Sequence, residues 1–203
     1  MRIGLLGGSF NPAHPGHLHV ATLALRRLRL DQVWLLVSPG NPLKPVAGMA
    51  PLAERLQSAD RIADGRRVVA TAIEARIRTR FTFDTLRALR RLFPLVRFVW
   101  LMGADNLVQL PRWQHWVEIA RLMPFAVVPR PSYNARALSG RAARRLRPSF
   151  RRPRSAPALA GFEAPAWIFL PARQNTLSAT ELRRAGRTPE PARQPAALEG
   201  ASS

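Results

Sequence analysis

The sequence predicts an α/β protein with a doubly wound parallel sheet and helices on both of its faces. Short apolar runs typical of buried strands alternate, along the first two thirds of the chain, with segments whose apolar residues recur at helical spacing. The run over 33–37 is apolar throughout, as expected for a central strand of a parallel sheet. The chain has 203 residues, 47% of them hydrophobic, which is enough for one domain to bury a core without disulfides or metals.

The predicted elements follow one another in a regular order. Strands are predicted over 3–6, 33–37, 68–70, 96–102, 125–128 and 166–170. Helices are predicted from Pro15, over 51–63, from about Asp84, along the segment with Trp113 and Trp116, and from Ser178. Because ligands of such sheets bind outside the carboxyl ends of the strands, the loops that follow the strands are the candidate site.

The loop after the first strand has the features of a phosphate-binding turn. Gly7 and Gly8 let the backbone approach a ligand, and Pro15 marks the start of a helix whose first N–H groups and dipole favour an anion. His14 and His17 are three residues apart, so both imidazoles are able to face that anion. Two imidazoles beside phosphate indicate phosphoryl chemistry. The alternative interpretation is a pair of solvated histidines beside a glycine turn.

Three later loops each carry a polar residue with a functional and a structural interpretation. Lys44, the only lysine, is either a phosphate partner after the second strand or an ordinary surface lysine. Thr82 is either a helix cap or a ligand hydroxyl. Asp105 follows Gly103 at the end of the fourth strand, where it either holds ribose hydroxyls or caps the next helix.

Two further sites are predicted near helix starts. Trp113 and Trp116 lie three apart on one predicted helical segment, and a tryptophan pair beside a binding loop indicates a stacking surface. Our hypothesis assigns Trp113 to the ligand and Trp116 to the core. Ser178 precedes Glu181 by three residues, which indicates a capping box or, functionally, a second phosphate grip.

Composition excludes some classes of function. The chain has no cysteine, which rules out thiol catalysis, disulfides and cysteine zinc sites and fits the reducing cytoplasm where we expect the protein. No apolar run is long enough to cross a membrane. The apolar stretch at the beginning of the sequence is too short for a signal peptide.

The charge is strongly basic. A net charge of +20 would ordinarily favour nucleic acid as a partner. Nine arginines and no acid fall between 130 and 154, which we interpret as a solvated, partly mobile insertion over about 132–160. An arginine-rich chain with one lysine is typical of compositional drift, so nucleic-acid binding is disfavoured as the main role. The expected domain spans 1–186, and a disordered tail covers 187–203.

Four segments together carry a resemblance. They are Gly7 to His17, Asn41-Pro42-Leu43-Lys44, Gly103-Ala104-Asp105-Asn106 with Trp113, and Leu177-Ser178-Ala179-Thr180-Glu181-Leu182-Arg183. In these segments the chain resembles the nucleotidyltransferase superfamily marked by a His-x-Gly-His signature, and most closely the bacterial nicotinate-nucleotide adenylyltransferases. The resemblance runs from about residue 2 to residue 184, outside the arginine-rich insertion.

This resemblance implies a Rossmann-like fold and one reaction. Nicotinate mononucleotide and ATP would give deamido-NAD and pyrophosphate in NAD biosynthesis, with Mg²⁺ accompanying ATP. The mononucleotide phosphate would attack the α-phosphorus of ATP in line, without a covalent enzyme intermediate. The resemblance assigns no metal-ligating residue.

The resemblance also assigns roles to individual residues. It gives the catalytic role to His14, His17, Lys44 and Arg183, as cations around the reacting phosphates. It places ATP against Gly7, Gly8, Ser9, Phe10, His14, His17, Gly103, Asp105, Ser178 and Arg183. It places the mononucleotide against Asn41, Lys44, Thr82, Trp113 and Arg130.

Some positions depart from the family pattern, and other functions remain open. Asn11, Leu43 and Ala179 stand where the family commonly has Asp, His and Ser, which bears on kinetic detail. The nearest enzymatic rival is pantetheine-phosphate adenylyltransferase, and a nucleic-acid-binding protein on a nucleotide-binding fold is the alternative from another class. The sequence does not decide between nicotinate and nicotinamide, and it does not give the oligomeric state.

Overall fold

The computed structural model describes residues 1–40 and 48–170, which form a sheet of six parallel strands. The strands are Arg2–Gly8 (β1), Gln32–Val37 (β2), Val68–Thr71 (β3), Arg97–Gly103 (β4), Phe125–Val128 (β5) and Trp167–Phe169 (β6). Their spatial order is β3-β2-β1-β4-β5-β6, and every neighbouring pair is parallel. The doubly wound parallel sheet is therefore confirmed, and each predicted strand is found within two residues of its expected bounds.

Helices connect these strands. They are Pro15–Arg27 (α1), Leu52–Asp60 (α2), Ile73–Arg76 (α3), Thr82–Leu92 (α4), Ala104–Gln109 (α5), Trp116–Leu122 (α6), Asn134–Ser139 (α7) and Arg141–Arg145 (α8). Short 3₁₀ helices cover Leu110–Arg112, Arg147–Ser149 and Pro153–Gly161. The single turn α3 was not predicted, because four residues are too few to show a helical period.

The core has two halves, one on each face of the sheet. Side chains alternate along β1, so that Ile3 and Leu5 belong to one half and Leu6 to the other. Helices α1 and α2 cover the face of Leu6, whereas α4 to α8 cover the opposite face. The expectation of helices on both faces is confirmed.

Strand β1 lies at the centre and pairs with both β2 and β4. The direction of strand order reverses between β1 and β4, and in open α/β sheets the ligand crevice lies outside the carboxyl ends at this point. Gly4 permits the close packing below the crevice. A Cβ there would lie 2.8 Å from Leu30 Cδ1 and 2.9 Å from Leu101 Cδ1.

The arginine-rich segment is packed, so the expectation of a solvated, partly mobile insertion over about 132–160 is wrong. Its small apolar residues Ala137 and Ala142 are buried against the face covered by α4 to α6, and Leu159 is buried on the other face. The Trp167 indole N–H donates a hydrogen bond to the Leu146 carbonyl at 2.8 Å. The buried alanines anchor the segment. Their spacing was not recognised in the sequence because many arginines lie between them.

Several predictions concern parts of the chain outside the described residues. They are the helix from Ser178, the domain boundary at 186 and the tail over 187–203, all of which stay predictions. Within the described ranges, no helix has both the length and the apolar character needed to span a membrane.

Candidate active site

Five strand ends supply the candidate site. Gly7 and Gly8 are the last residues of β1, and Gly103 is the last residue of β4, with Asp105 just after it. Ser38 follows β2, Glu74 follows β3, and Arg130 comes two residues after β5. Since all these strands run parallel, their carboxyl ends meet at one edge of the sheet. The predicted site therefore lies on one side of the molecule.

The two histidines stand at the start of α1, as the sequence predicted. His14 is the N-cap residue, extended in backbone conformation and only 2% exposed, and Pro15 is the first helical residue. The backbone N–H of His14 donates a hydrogen bond to His17 Nδ1 at 3.2 Å. The ring centroids of the two imidazoles are 3.8 Å apart. The interpretation as solvated loop histidines is wrong, because burial and these contacts fix both side chains.

The hydrogen bond and the burial of His17 bear on the protonation state of its imidazole. Its Nδ1 accepts a hydrogen bond, so in the neutral ring the proton is on Nε2, which is then a donor. Burial holds the pKa of His17 well below its usual value of 6.5, and the nearby His14 and Arg130 add to the effect. The lowered pKa favours the neutral ring, an N–H donor, in the ligand-free chain, and the expectation that His17 acts as a cation beside the reacting phosphates stays a prediction.

Phe10 connects the glycine turn with the histidines. Its backbone has a φ of 48°, and its side chain is 1% exposed and belongs to the core. The centroids of the Phe10 and His17 rings are 4.7 Å apart. A Cβ added to Gly8 would lie 3.2 Å from the Phe10 ring. A contact between Phe10 and ATP would therefore come from its backbone.

A cavity of about 360 Å³ opens at this edge of the sheet. Six of the residues that were predicted to bind ligand line it: Gly7, Gly8, Ser9, Thr82, Asp105 and Trp113. No protein atom of the described chain lies within 4 Å of a Cβ built on Gly7. The backbone of β1 is thus open to the cavity, as the phosphate-binding interpretation requires.

Other predicted residues lie beside the cavity rather than in its wall. His14, His17, Phe10, Gly103 and Arg130 do not line it. The cavity meets the histidines through Gly8, against which the Phe10 ring packs. The histidine pair and the cavity are thus adjacent parts of one site.

Asp105 and Arg130 form a pair at the end of β4. The Arg130 Nε lies 3.6 Å from the Asp105 Oδ1, and both side chains are partly exposed. A Cβ on Gly103 would come within 3.0 Å of Arg130 Nε and would also collide with the Asp105 carboxylate. Glycine is therefore needed here for the close approach of this pair. Arg130 pairs with Asp105 and contributes to the lowered pKa of His17 but does not line the cavity, so its expected contact with the mononucleotide stays a prediction.

The structure decides against both helix-cap interpretations. Helix α4 has Phe81 as its N-cap and α5 has Gly103, so neither Thr82 nor Asp105 is a cap. Thr82 opens the first turn of α4 and Asp105 lies in the first turn of α5, and both line the cavity. Neither side chain serves as a helix cap, and both stand at the cavity wall, Asp105 in its pair with Arg130.

The two tryptophans do not share a helix, contrary to expectation. Trp113 is extended after a 3₁₀ turn, and His115, with a φ of 54°, separates it from Trp116 at the start of α6. Trp113 lines the cavity and contacts the Trp100 ring at a centroid distance of 5.7 Å. Trp116 packs against the core and is not in the cavity wall.

Sequence reasoning missed Glu74, which follows β3 in α3 and lines the cavity. The Thr85 hydroxyl donates a hydrogen bond to Glu74 Oε1 at 3.0 Å. Burial raises the pKa of the Glu74 carboxyl above its usual value of 4.5, although hydrogen bonds from Thr85 and Ser38 act in the opposite direction. A carboxylate shortly after a parallel strand was the available signal.

Four predicted residues lie outside the described residues, namely Asn41, Lys44, Ser178 and Arg183. Within the described ranges, no group of three or more histidine, aspartate or glutamate side chains is arranged to hold a metal ion.

Most of the chain is similar to known proteins. Residues 5–185 match the sequence model of the cytidylyltransferase-like family. A protein of Gluconobacter oxydans named "Probable nicotinate-nucleotide adenylyltransferase" is 61% identical over 92% of this chain and 95% of its own length. A protein of the same name from Parvibaculum lavamentivorans is 51% identical over 92% of both chains.

Solved structures share the fold. The nicotinic acid mononucleotide adenylyltransferase of Plasmodium falciparum, complexed with NaAD, has a TM-score of 0.67 at 15% identity and covers 90% of this chain and 82% of its own. The same enzyme complexed with APC has a TM-score of 0.65 at 14% identity, with the same coverage. At such identities the likeness concerns the fold alone.

Proposed function

This chain belongs to the cytidylyltransferase-like family, and within it to the nicotinate-nucleotide adenylyltransferases; from that premise we propose that it transfers AMP from ATP to nicotinate mononucleotide. The products are deamido-NAD and pyrophosphate, in NAD biosynthesis. The observation that carries the proposal is the 61% identity to a relative of that name across 92% of the chain. The geometry of the site supports the same chemistry.

The reaction brings two anions together. At about 4 Å, two unit negative charges repel by about 4 kcal/mol at an effective dielectric of 20, so the site has to offset this repulsion. The positive end of the α1 dipole, together with the Nε2–H of His17, stabilises the ATP phosphates. Lys44 and Arg183 are proposed as the cations that complete this cradle.

The cavity suits the other reactant. Trp113 offers an aromatic surface and Thr82 a hydroxyl. Both residues line the same cavity as the open backbone of Gly7. We assign the part of this cavity beside Trp113 and Thr82 to the mononucleotide, and the part beside Gly7, Gly8 and Asp105 to ATP. Mg²⁺ is part of the co-substrate, bound to the ATP phosphates, where it neutralises charge.

The histidine pair provides the test of the chemistry. We expect His17→Ala to lower pyrophosphate release from ATP and nicotinate mononucleotide by about 100-fold or more, because it removes a donor to the transferred phosphate. The measurement is a coupled pyrophosphate assay, with circular dichroism to establish that the variant is folded.

His19→Ala is the matched control, since His19 is exposed on the same helix. It should retain wild-type turnover. Equal activity of the His17→Ala variant and the wild type would contradict the proposed role of the α1 terminus.

A further inference from the structure

Arg55 of α2 is an unusual buried charge. Its side chain is 2% exposed, and within the described residues no carboxylate forms an ion pair with it. Burial lowers the pKa of the guanidinium from its usual range, but an arginine stays charged at physiological pH. A buried charge without a carboxylate has to be stabilised by other groups.

Backbone carbonyls stabilise this guanidinium. Its Nε donates to the Ala50 carbonyl at 2.8 Å, and its Nη1 donates to the carbonyls of Ser9 at 2.9 Å and Ser38 at 2.6 Å. Its Nη2 lies 3.3 Å from the Pro39 carbonyl. One rigid planar group is therefore bonded at fixed angles to several points of the backbone.

These carbonyls belong to two different ligand loops. Ser9 lies in the loop from β1 to α1, next to the glycines assigned to ATP. Ser38 and Pro39 open the loop from β2 to α2, and Ala50 closes it just before the helix. In this second loop Ser38 and Gly40 line the cavity together with Thr82 and Trp113, which are assigned to the mononucleotide. Arg55 thus joins the backbone at one reactant to the backbone at the other.

Asn11 also joins the two loops, and Ser58 joins the first of them to α2. The Asn11 side chain donates to the Gly48 carbonyl at 2.9 Å and accepts from the Ala50 N–H at 3.2 Å. The Ser58 hydroxyl of α2 accepts from the Ala13 N–H at 2.9 Å. The connection between the two loops is therefore built at several points, with Arg55 at the most buried one.

We propose that Arg55 is a positioning residue that sets the spacing between the ATP loop and the mononucleotide loop, and so the alignment of the two reacting phosphates. This inference rests on the proposed function. Arg55 is buried behind the loops and acts through their backbone. In-line transfer is sensitive to such spacing, because a displacement of about 1 Å between the reactants costs about 100-fold in rate.

Arg55→Lys tests this role, since lysine keeps the charge but loses the planar fork that reaches both loops. We expect kcat to fall about 10- to 100-fold, while the KM values for ATP and nicotinate mononucleotide each change less than about threefold. Each loop keeps its own ligand contacts, so only their mutual alignment suffers. The measurement is steady-state kinetics with either substrate varied, at a temperature well below the midpoint of unfolding.

Arg90→Lys is the matched control. Arg90 also donates to a backbone carbonyl, that of Leu122 at 2.6 Å, but it lies on α4 outside the cavity wall. This variant should keep the wild-type kcat. A folded Arg55→Lys variant with wild-type kcat, or with a loss in KM alone, would overturn the inference.

Asn11→Ala decides the matter if Arg55→Lys does not fold. It removes the cross-loop bonds of Asn11, which is less buried, and we expect kcat to fall about 3- to 10-fold at unchanged KM; an unchanged kcat would contradict the inference.

The proposed function and the proposed role of Arg55 would be refuted by different results. A wild-type chain inactive on nicotinate mononucleotide would refute the function, whereas an active wild type with fully active variants would refute only the role of Arg55.

Discussion

Two ionisable side chains at the site have pKa values displaced by the fold, in ways that favour their neutral forms. Burial lowers the pKa of His17 and raises that of Glu74. Both groups lie near the place where anionic substrates are proposed to bind. A neutral His17 is a hydrogen-bond donor at a defined nitrogen, which a freely rotating imidazolium would not be.

Glu74 makes stability depend on pH. Its pKa in the folded chain is above 4.5, so it contributes stability below its unfolded pKa that is lost as pH rises through the folded value. Glu74→Gln removes this loss while keeping an oxygen that accepts from Thr85. We expect the variant to gain stability relative to wild type between about pH 4 and about pH 7. Urea unfolding across this range measures it, and a difference independent of pH would be inconsistent with a raised pKa.

At Gly7 the effect of a substitution on ligand binding can be distinguished from its effect on packing. A methyl group at this position meets no described protein atom within 4 Å but enters the cavity. We expect Gly7→Ala to change the midpoint of thermal unfolding little and to lower kcat/KM for ATP about 10-fold or more. Gly161→Ala, where a Cβ makes only an ordinary contact with Arg97 at 3.6 Å, is the control that should leave both quantities unchanged. Full activity of Gly7→Ala would show that no ligand approaches this backbone.

At the scale of elements, the strands were predictable and the ligand loops were predictable in part. Continuous apolar runs identified all six described strands because a parallel sheet buried on both faces leaves no polar alternation. The start of α4 and the separation of Trp113 from Trp116 were not predictable. They depend on a cap without side-chain hydrogen bonds at Phe81 and on the left-handed backbone of His115.

The arginine-rich segment gives a prediction at this scale. Ala142 of α8 is 1% exposed, so Ala142→Asp would bury an unpaired carboxylate, and we expect the free energy of unfolding to fall by about 3 kcal/mol or more. The neighbouring Arg141 is exposed, and Arg141→Asp should change stability by less than about 0.5 kcal/mol. Chemical denaturation of the two variants provides the comparison. Equal stabilities would mean that the segment is solvated after all.

For the whole molecule, the sequence predicted the architecture and the edge of the sheet that carries the site, but not the contacts across it. The alternation of strands and helices predicts a parallel sheet, and in a parallel sheet the carboxyl ends of the strands share one edge. The bonds of Arg55 to Ser9 and Ser38 join residues 46 and 17 positions apart, and the pair of Asp105 with Arg130 joins two strand ends. Such pairings depend on the packing of α2 and β5 against the loops, which no local pattern records.

The net charge of +20 also acts at this scale. The segment that concentrates the arginines is held by buried alanines and leucines, and its charges remain on the surface. A positive surface of this kind attracts anionic molecules in general. Nucleic-acid binding as the main role stays disfavoured.

The proposed transfer of AMP to nicotinate mononucleotide is tested most directly by comparing acceptors with the purified chain. The rate of adenylyl transfer from ATP is measured on nicotinate mononucleotide, nicotinamide mononucleotide and pantetheine phosphate, with the products identified by mass. We predict formation of deamido-NAD, with kcat/KM for nicotinate mononucleotide at least about 100-fold above that for pantetheine phosphate. Transfer to pantetheine phosphate with no deamido-NAD formed would contradict the assignment.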